Sequence, residues 1–299
     1  MTPESERREP AAHPGDDVLR RLSDGETMTE QPRRRVILLA ERSDISITWS
    51  RYAPGERGPD LHVHREHTDA FYVLEGELTF ALGPEAERIR VPAGGFVAVP
   101  PNVVHSFANA SGADACWLNL HTPDKGFAAY LRALRDGGDA AFDNFDPPAD
   151  GGLPAAEAIA SGPGEGERLV CGNRVAFLKG VLPDLCFAEF VLDGRSDGPD
   201  LHHHDRQVDS FYVLEGELDL TVERSLHVAG PNTLASVPRG VRHTFAHNGI
   251  GKARVLNVHA PDGGFADFLR RSSDLTPGVA GEGAAGVPEE GLEPPTRGL

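Results

Sequence analysis

A histidine-rich segment occurs twice in this chain of 299 residues, and it constrains the fold more than any other feature. Each copy carries two histidines separated by one residue, with an aspartate close behind them. The residues are His62, His64 and Asp69 in the first copy and His202, His204 and Asp209 in the second. Residues two apart on a β-strand project from the same face, so each pair presents two imidazoles side by side. Because the aspartate keeps its register in both copies, we predict two similar domains.

A third histidine follows each segment, His105 in the first copy and His243 in the second. Three neutral imidazoles and one carboxylate form a mixed nitrogen and oxygen ligand set that suits a divalent transition metal. Such a set leaves coordination positions for water, substrate or O2. We therefore predict one metal ion per domain, and Fe, Mn, Ni, Co and Zn all fit these donor types.

The two aspartates have two interpretations, because an aspartate side chain is one methylene shorter than that of glutamate and reaches less far towards a metal. Direct ligation by Asp69 and Asp209 is favoured, since both copies keep a carboxylate at the same position. The alternative is that each carboxylate orients an imidazole or a metal-bound water. The two aspartates are also the candidate catalytic residues, as acceptors of a proton from the substrate, a role that requires them to be weakly bound or unbound to the metal when substrate arrives.

Phenylalanines adjoin the predicted ligands in both copies, each two residues beyond an aspartate or a histidine and therefore on the same strand face. They are Phe71 and Phe107 in the first copy and Phe211 and Phe245 in the second. An apolar wall beside a metal suits an aromatic or otherwise apolar substrate. Ordinary packing inside a small barrel explains the same residues equally well, so the sequence leaves the two interpretations open.

Short apolar runs separated by Gly, Pro and Asn fill both copies, and this pattern predicts an all-β protein of barrels or sandwiches. A short amphipathic helix closes each copy, at 126–134 and 264–270. The run 71–74 is apolar on both faces, so we expect one face inside a barrel and the other against a second sheet or the sister domain. The predicted boundaries are a disordered segment at 1–34, domain 1 at 35–138, a linker at 139–167, domain 2 at 168–273 and a disordered tail at 274–299.

Composition narrows the classes of partner. The chain has 29 Lys and Arg against 46 Asp and Glu, a net charge of −17, which disfavours nucleic acid and anionic membranes as partners. No apolar run approaches the length of a membrane span. Three widely spaced cysteines without a Cys-x-x-Cys motif argue against a disulfide scaffold and favour a reducing, cytoplasmic location. A small molecule is the expected partner, and the sequence leaves a homodimer open.

The remaining histidines carry weaker expectations. His67 lies in a turn and is expected to be solvated, His203 should alternate away from the site, and His247 is expected to end a strand. His121 and His259 each share a strand face with an asparagine. The favoured interpretation of such a His–Asn pair is a hydrogen bond to loop backbone at an interface, and the alternative is a proton-transfer group at the barrel mouth.

Both halves resemble the cupin superfamily. Its first motif places His-x-His and then Glu between two glycines, and its second places Pro-x-Gly-x-x-His between Gly and Asn. The matching residues are His62, His64, Gly76, Gly94, Pro100, His105 and Asn109 in the first half and His202, His204, Gly216, Pro238, Gly240 and His243 in the second. The departures are Asp69 and Asp209 for Glu, Asn102 and Asn232 for Gly, and His247 for Asn. The resemblance implies a bicupin, two jelly-roll barrels in tandem.

The resemblance also ranks the functions. The short spacing between motifs and the intact ligand sets are similar to the flavonol-cleaving, quercetinase-type cupins, which implies a metal-dependent dioxygenase acting on a small enolisable or phenolic compound. One alternative is an isomerase or decarboxylase that uses the metal as a Lewis acid. Another is a non-catalytic barrel that binds a small molecule. The Ser-Glu-Asn lid tripeptide of oxalate decarboxylases is absent from the sequence, which disfavours that particular activity.

Overall fold

A computed structural model of the protein describes residues 18–274, so the disorder predicted for 1–17 and 275–299 concerns residues outside this range. Strands dominate the described chain, which confirms the all-β prediction. The first half contains β1 at Leu19–Arg21, β2 at Glu26–Gln31, β3 at Arg34–Arg42, β4 at Ile45–Tyr52, β5 at Thr68–Glu75, β6 at Glu77–Leu82, β7 at Glu87–Pro92, β8 at Phe96–Val99, β9 at His105–Ala108, β10 at Ala115–Thr122 and helix α1 at Phe127–Arg135.

The second half repeats this order of elements. It contains β11 at Ile159–Ser161, β12 at Glu167–Cys171, β13 at Arg174–Leu182, β14 at Leu185–Asp193, β15 at Ser196–Asp197, β16 at Val208–Glu215, β17 at Leu218–Val222, β18 at Ser225–Ala229, β19 at Thr233–Val237, β20 at His243–His247, β21 at Lys252–Ala260 and helix α2 at Phe265–Asp274. Short 3-10 helices lie at Leu22–Asp24 and Ala155–Glu157. Within residues 18–274, neither α-helix is long and apolar enough to cross a membrane.

Each domain pairs a seven-stranded sheet with a smaller one. The orders are β11-β8-β5-β10-β4-β3-β2 and β7-β6-β9 in domain 1, and β1-β19-β16-β21-β14-β13-β12 and β15-β20-β17-β18 in domain 2. The large sheets match strand for strand, as expected for a duplicated chain. Apolar side chains from both sheets of a domain form its core, for example Phe71 from the large sheet and Phe80 from the small sheet of domain 1.

The two domains exchange edge strands, which corrects part of the predicted boundaries. Residues 1–34 are expected to be disordered, yet β1 pairs with β19 of domain 2 and β2 pairs with β3 of domain 1. In the other direction β11, inside the predicted linker, pairs with β8 of domain 1. The physical reason is that β8 and β19 would otherwise present unpaired edges. Burial of Val18 and Met28 adds apolar contact to these backbone hydrogen bonds.

Strand β5 packs on both of its faces, as its apolar sequence predicts. Phe71 and Val73 lie in the core of domain 1, whereas Ala70 and Tyr72 lie in a second core that contains residues of both domains. In that shared core, Phe187 of domain 2 stacks on Phe96 with ring centroids 4.4 Å apart. The domains are therefore joined through an apolar interface as well as through exchanged strands.

Backbone conformation explains two departures from the cupin motifs. Asn102 and Asn232 stand where the motif has glycine, and both adopt positive φ, 69° and 62°. The glycines at the corresponding positions of the other copy, Gly240 and Gly94, have φ of 74° and 84°. Asn is among the side chains that tolerate this left-handed region, so the same turn forms without glycine.

Candidate metal centres

The predicted ligands of each domain come together at one point. A short antiparallel bridge joins His62 to His105, through hydrogen bonds of 3.0 and 2.9 Å between their backbones. His64 follows two residues later, and Asp69 lies at the start of β5. In each domain the nitrogen and oxygen atoms able to ligate lie within 4.8 Å of one another. The sets are His62, His64, Asp69 and His105 in domain 1 and His202, His204, Asp209 and His243 in domain 2.

Backbone carbonyls fix the tautomers of most of these histidines. In domain 1 the Nδ1 atoms of His62 and His105 lie 2.9 and 3.1 Å from the carbonyl oxygens of Asp60 and Val103. The Nδ1 of His64 contacts the carbonyl of Asp143. A carbonyl oxygen can only accept, so each Nδ1–H donates and a neutral ring keeps its lone pair on Nε2. The free nitrogens are therefore the ones that face the centre of the site.

The second domain repeats this arrangement at two of its three histidines. The Nδ1 atoms of His202 and His243 lie 2.8 and 3.0 Å from the carbonyl oxygens of Asp200 and Val241. His204 lacks a hydrogen bond to a carbonyl within residues 18–274. Its side chain is 11% exposed against 2% for His64, so the second centre is more open on this side.

The aspartate oxygens have separate contacts. Oδ2 of Asp69 lies 3.3 Å from Nε2 of His105 and 3.7 Å from Nε2 of His64. Its Oδ1 accepts a hydrogen bond from the side-chain amide of Asn119. Domain 2 is alike: Asp209 Oδ2 lies 3.1 Å from Nε2 of His243, and Oδ1 accepts from Asn257 at 2.6 Å. The asparagines thus hold the carboxylates with one oxygen towards the histidines.

This donor set fits a divalent metal. Nε2 of His64 and Nε2 of His204 are buried and have no hydrogen-bond partner within residues 18–274. Where an imidazole lone pair faces a carboxylate oxygen, two acceptors oppose each other, and the contact is stable only with a cation or a proton between them. Three imidazole nitrogens and one carboxylate oxygen suit Fe, Mn, Co, Ni or Zn. The eight residues named above would hold these ions, one set in each domain.

His121 and His259 lie at the metal centres, so the favoured sequence interpretation of an interface contact is wrong for them. Both are buried, at 2% and 1% exposure. Their Nε2 atoms lie 3.6 and 3.3 Å from Oδ1 of the nearby aspartate. Each ring stacks on the first phenylalanine of the closing helix, with centroids 3.6 Å apart for Phe127 and 3.7 Å for Phe265. The helices therefore fix these histidines beside the carboxylates.

Domain 1 has a further hydrogen-bond chain, and one of its members, Asp143, was not identified from the sequence. His67 is fully buried, which corrects its expected solvation. Its Nδ1 lies 2.7 Å from a carboxylate oxygen of Asp143, and its Nε2 lies 2.8 Å from Nδ1 of His121. Asp143 follows α1 and also accepts from the backbone N–H of Glu66 at 2.8 Å. In domain 2 the residue matching His67 is Gln207, whose side chain donates to a backbone carbonyl.

The other histidines lie away from the centres. His203 is partly exposed and contacts Asp205 at 3.2 Å. His247 ends β20, as expected, with its ring between the carbonyls of Glu217 and Gly251. Asn109, the residue it replaces in the other copy, also bonds backbone carbonyls, those of Tyr52 and Ala113. Both residues therefore have a structural role.

A cavity opens beside each centre, and aromatic side chains form part of its wall. Phe107 lines the cavity of domain 1 and Phe245 that of domain 2, next to the histidines. Phe71 and Phe211 belong instead to the cores of their domains. The volumes are about 260 Å³ in domain 1 and about 90 Å³ in domain 2. Of the four predicted phenylalanines, two are thus placed to contact a ligand.

Acidification is expected to destabilise the metal-free protein between pH 6.5 and about 4. Burial, with the neighbouring His105 and His64, lowers the pKa of His62 to about 3. Burial likewise lowers the pKa of His67, His202 and His259 to about 4. The unfolded chain takes up these protons near pH 6.5 and the folded chain does not, so the free energy of unfolding falls as pH falls.

The slope approaches about 1.4 kcal/mol per pH unit for each such histidine. Burial acts to lower the pKa of His243, but its hydrogen bond to Asp209 outweighs this and raises it, so His243 opposes the trend. Urea unfolding of chelator-treated protein from pH 7.5 to 4 measures the effect. A free energy of unfolding that stays flat across this range would contradict the buried, neutral imidazoles.

Fold and site together define a two-domain all-β protein with a three-histidine, one-carboxylate centre in each domain. The family profile described as a cupin domain matches residues 48–121 and again residues 189–259. Each match includes the predicted ligands of one domain. The chain belongs to the cupin superfamily as a two-domain member, a bicupin, as its motifs predict.

Comparison with known proteins gives relatives of two kinds. Quercetin 2,3-dioxygenase of Bacillus subtilis (strain 168) is 32% identical over 82 residues, which cover 27% of this chain and 23% of that enzyme. The match therefore spans about a quarter of the relative's length. The oxalate decarboxylase of Lactobacillus farciminis, solved as a formate complex, has a TM-score of 0.59 at 13% identity, covering 85% of this chain and 88% of that one. AerE from Microcystis aeruginosa has a TM-score of 0.57 at 11% identity, covering 82% and 99%.

Proposed function

We propose that this protein is a metal-dependent enzyme that acts on a small organic molecule, with one divalent transition metal in each domain. The observation that carries the proposal is the convergence of four potential ligand atoms at the inner end of a cavity in both domains. Two of the histidine nitrogens are buried without a partner in the described chain, which is costly unless they bind something. A barrel with a purely structural role does not require four converging ligand atoms in each of its two domains.

The reaction we propose is oxygenolytic cleavage of an enolisable or phenolic compound. The similarity to quercetin 2,3-dioxygenase supports it, as does the aromatic wall of the domain 1 cavity, where Tyr52, Phe107 and Trp117 meet. Such a wall binds a planar ring and excludes water. When bound, the metal supplies Lewis-acid polarisation of a substrate oxygen, and a redox-active metal also supplies electrons to O2.

Within the protein, Asp69 and Asp209 are the residues proposed to remove the substrate proton. Burial acts to raise the pKa of Asp69, but the neighbouring imidazoles of His121, His105 and His64 outweigh it and hold the pKa well below its usual range. The carboxylate is therefore ionised and able to accept. The amide of Asn119 holds one of its oxygens, which keeps the other directed towards the cavity end of the site.

Non-oxidative isomerisation or decarboxylation is the second candidate, and a specific observation favours it. The chain of Asp143, His67 and His121 ends beside Asp69, because Nε2 of His121 lies 3.6 Å from Oδ1 of that carboxylate. A buried chain of this kind can move a proton between the site and the outer loop, which chemistry without O2 requires. Domain 1 has this hydrogen-bond chain, whereas in domain 2 the residue that matches His67 is Gln207.

Oxygen consumption separates the two candidates. The full-length chain, loaded in turn with Fe, Mn, Co, Ni or Zn, is mixed with flavonols, catechols and β-diketones in an oxygen electrode, and products are identified by mass spectrometry. Uptake of one O2 per product supports the dioxygenase. Product formation under argon, without O2 uptake, supports the non-oxidative enzyme instead. No product in either atmosphere would remove both and leave a binding protein.

Asp69→Asn combined with Asp209→Asn is expected to lower turnover by a factor of about 100 to 10,000, because the amide cannot accept the substrate proton. The three histidines remain in each site and the asparagine keeps a side-chain oxygen at the position of the carboxylate, so most of the metal should stay bound. Metal content by mass spectrometry and turnover are measured on the same samples. Asp205→Asn is the matched control, since this exposed carboxylate contacts the partly exposed His203 away from the metal centre. Unchanged turnover in the double variant would exclude the aspartates as bases.

A further inference from the structure

The cavity of domain 2 contains a cation that lacks an acidic partner. Arg174 begins β13 and lines the same cavity as His202, His204 and Asp209. Its side chain is half-buried, and within residues 18–274 its guanidinium has no hydrogen bond or ion pair. A partly buried charge without a partner is unfavourable, so the structure retains a cost that an anionic ligand would offset.

The duplicated chain provides an internal comparison. The matching arginine of domain 1, Arg34, also lines its cavity, but Glu56 pairs with it at 2.9 Å. Arg34 further donates to the carbonyl of Arg57 and lies over the ring of Tyr52 at 4.4 Å. The position matching Glu56 in domain 2 is Ser196, and the one matching Tyr52 is Leu192. Domain 2 has thus kept the arginine and replaced both of its partners.

Much of the remaining wall of this cavity is apolar. Phe190 stands where domain 1 has Ser50, and Phe245, Phe265, Phe268 and Leu269 also line the cavity, together with the polar side chains of Asn257, His259 and Ser272. The cavity therefore combines three kinds of lining group: candidate metal ligands, a guanidinium and aromatic rings. Its volume of about 90 Å³ restricts it to small molecules.

We propose that domain 2 binds a small organic acid with an apolar body, whose carboxylate pairs with Arg174. The body lies against the phenylalanines, and the opposite end of the molecule reaches the metal centre formed by His202, His204, Asp209 and His243. The planar guanidinium suits a carboxylate because it offers two parallel N–H donors. With a net charge of −17 the protein as a whole repels anions, so binding of a carboxylate depends on local cations such as Arg174. The inference rests on the proposed function, since it treats the cavity as a substrate site.

Charge recognition is tested by calorimetric titration of the full-length, Zn-loaded chain. The probes are benzoate, phenylacetate, 3-phenylpropanoate and 4-phenylbutanoate, each compared with its uncharged amide. At least one acid is expected to bind about 10- to 100-fold more tightly than its amide, the range that a charge-assisted hydrogen bond provides. Arg174→Met should remove that preference. The four acids differ in the length of the chain between ring and carboxylate, so the series covers a range of distances. Equal affinity of every acid and its amide would therefore overturn the inference.

Two further variants transfer the pairing seen in domain 1. Ser196→Glu gives Arg174 the carboxylate that Arg34 has, and it should abolish the preference for acids. Glu56→Ser frees Arg34 and should add a second acid-binding site in domain 1. Arg34→Met is the matched control and should leave the preference of domain 2 intact. Loss of acid binding in Arg34→Met, with retention in Arg174→Met, would place the anion site in the wrong domain and contradict the proposal.

Failure of the organic acid site can be distinguished from failure of the proposed function. Zn supports binding in this titration without redox chemistry with O2. Acid binding without any turnover under other metals would uphold the organic acid site and remove the proposed reaction. Turnover of uncharged phenols at an unchanged rate in Arg174→Met, with no acid preference in the titration, would uphold the proposed reaction and remove the organic acid site.

Discussion

His64→Ala is expected to reduce the metal content of the purified chain from two equivalents to one. The substitution removes one of four donors from domain 1, and the ring it deletes is 2% exposed with Nε2 directed at the site. Loss of a ligand costs more than loss of an outer hydrogen-bond partner, which alone lowers metal affinity about 10- to 100-fold. His204→Ala should empty only domain 2, and the double variant should bind no metal tightly.

Equilibrium dialysis against Zn, Mn or Ni followed by elemental analysis measures this result. His203→Ala is the control, because His203 stands between two predicted ligands in sequence but contacts Asp205 outside the site. It should retain two equivalents. If wild-type protein binds fewer than about one equivalent, or if His64→Ala binds as much metal as wild type, the centres are not the metal sites we infer.

The convergence of the candidate ligands was predictable because few physical rules are needed to place them. Alternation along a strand puts His62 and His64 together, and duplication of the segment excludes coincidence. The structure brings the same eight side chains within ligating distance of each other in their two sites. The two-domain, all-β architecture follows equally from repeated short strands and from the match of residues 71–78 to 211–218.

Residues contributed by distant segments were not predictable in this way. Asp143 lies in a stretch whose Gly, Pro and acidic composition indicates a linker, and only tertiary structure shows that it meets His67. His67 itself was expected to be solvated because a turn is usually exposed, whereas this turn is covered by the segment after α1. The pairing of β1 with β19 depends on an edge in the other domain, and local sequence carries no signal for that.

The matching arginines of the two domains show a third limit of prediction from sequence. Sequence periodicity treats Arg34 and Arg174 alike, since each begins the same strand of its domain. The difference between them lies in a partner 22 residues away, Glu56 in one copy and Ser196 in the other. Only the observed contact between Arg34 and Glu56 shows that this exchange changes the charge of the second cavity.

A buried ionic group lies at the domain interface, and its carboxylate accepts hydrogen bonds from residues of both domains. Glu189 on β14 is 4% exposed, and it accepts from Arg254 at 2.6 Å and from the hydroxyl of Tyr72, a domain 1 residue, at 3.1 Å. The ammonium of Lys179 lies 3.9 Å from it and donates to the carbonyls of Gly162 and Glu165. The group therefore joins strand β13, the connecting segment and β5.

Glu189→Ala is expected to lower the free energy of unfolding by about 3–5 kcal/mol, because it leaves the buried ammonium of Lys179 without its counter-charge. Both tryptophans, Trp49 and Trp117, belong to domain 1, so their fluorescence during urea unfolding reports on the domain that does not carry the substitution. Since the interface is shared, we expect the tryptophan transition to shift to lower urea along with far-ultraviolet circular dichroism. Glu167→Ala is the control: its pair with Arg270 is 44% and 41% exposed, and removing it should cost about 0–1 kcal/mol. A large shift by circular dichroism with an unchanged tryptophan transition would mean that the two domains unfold independently.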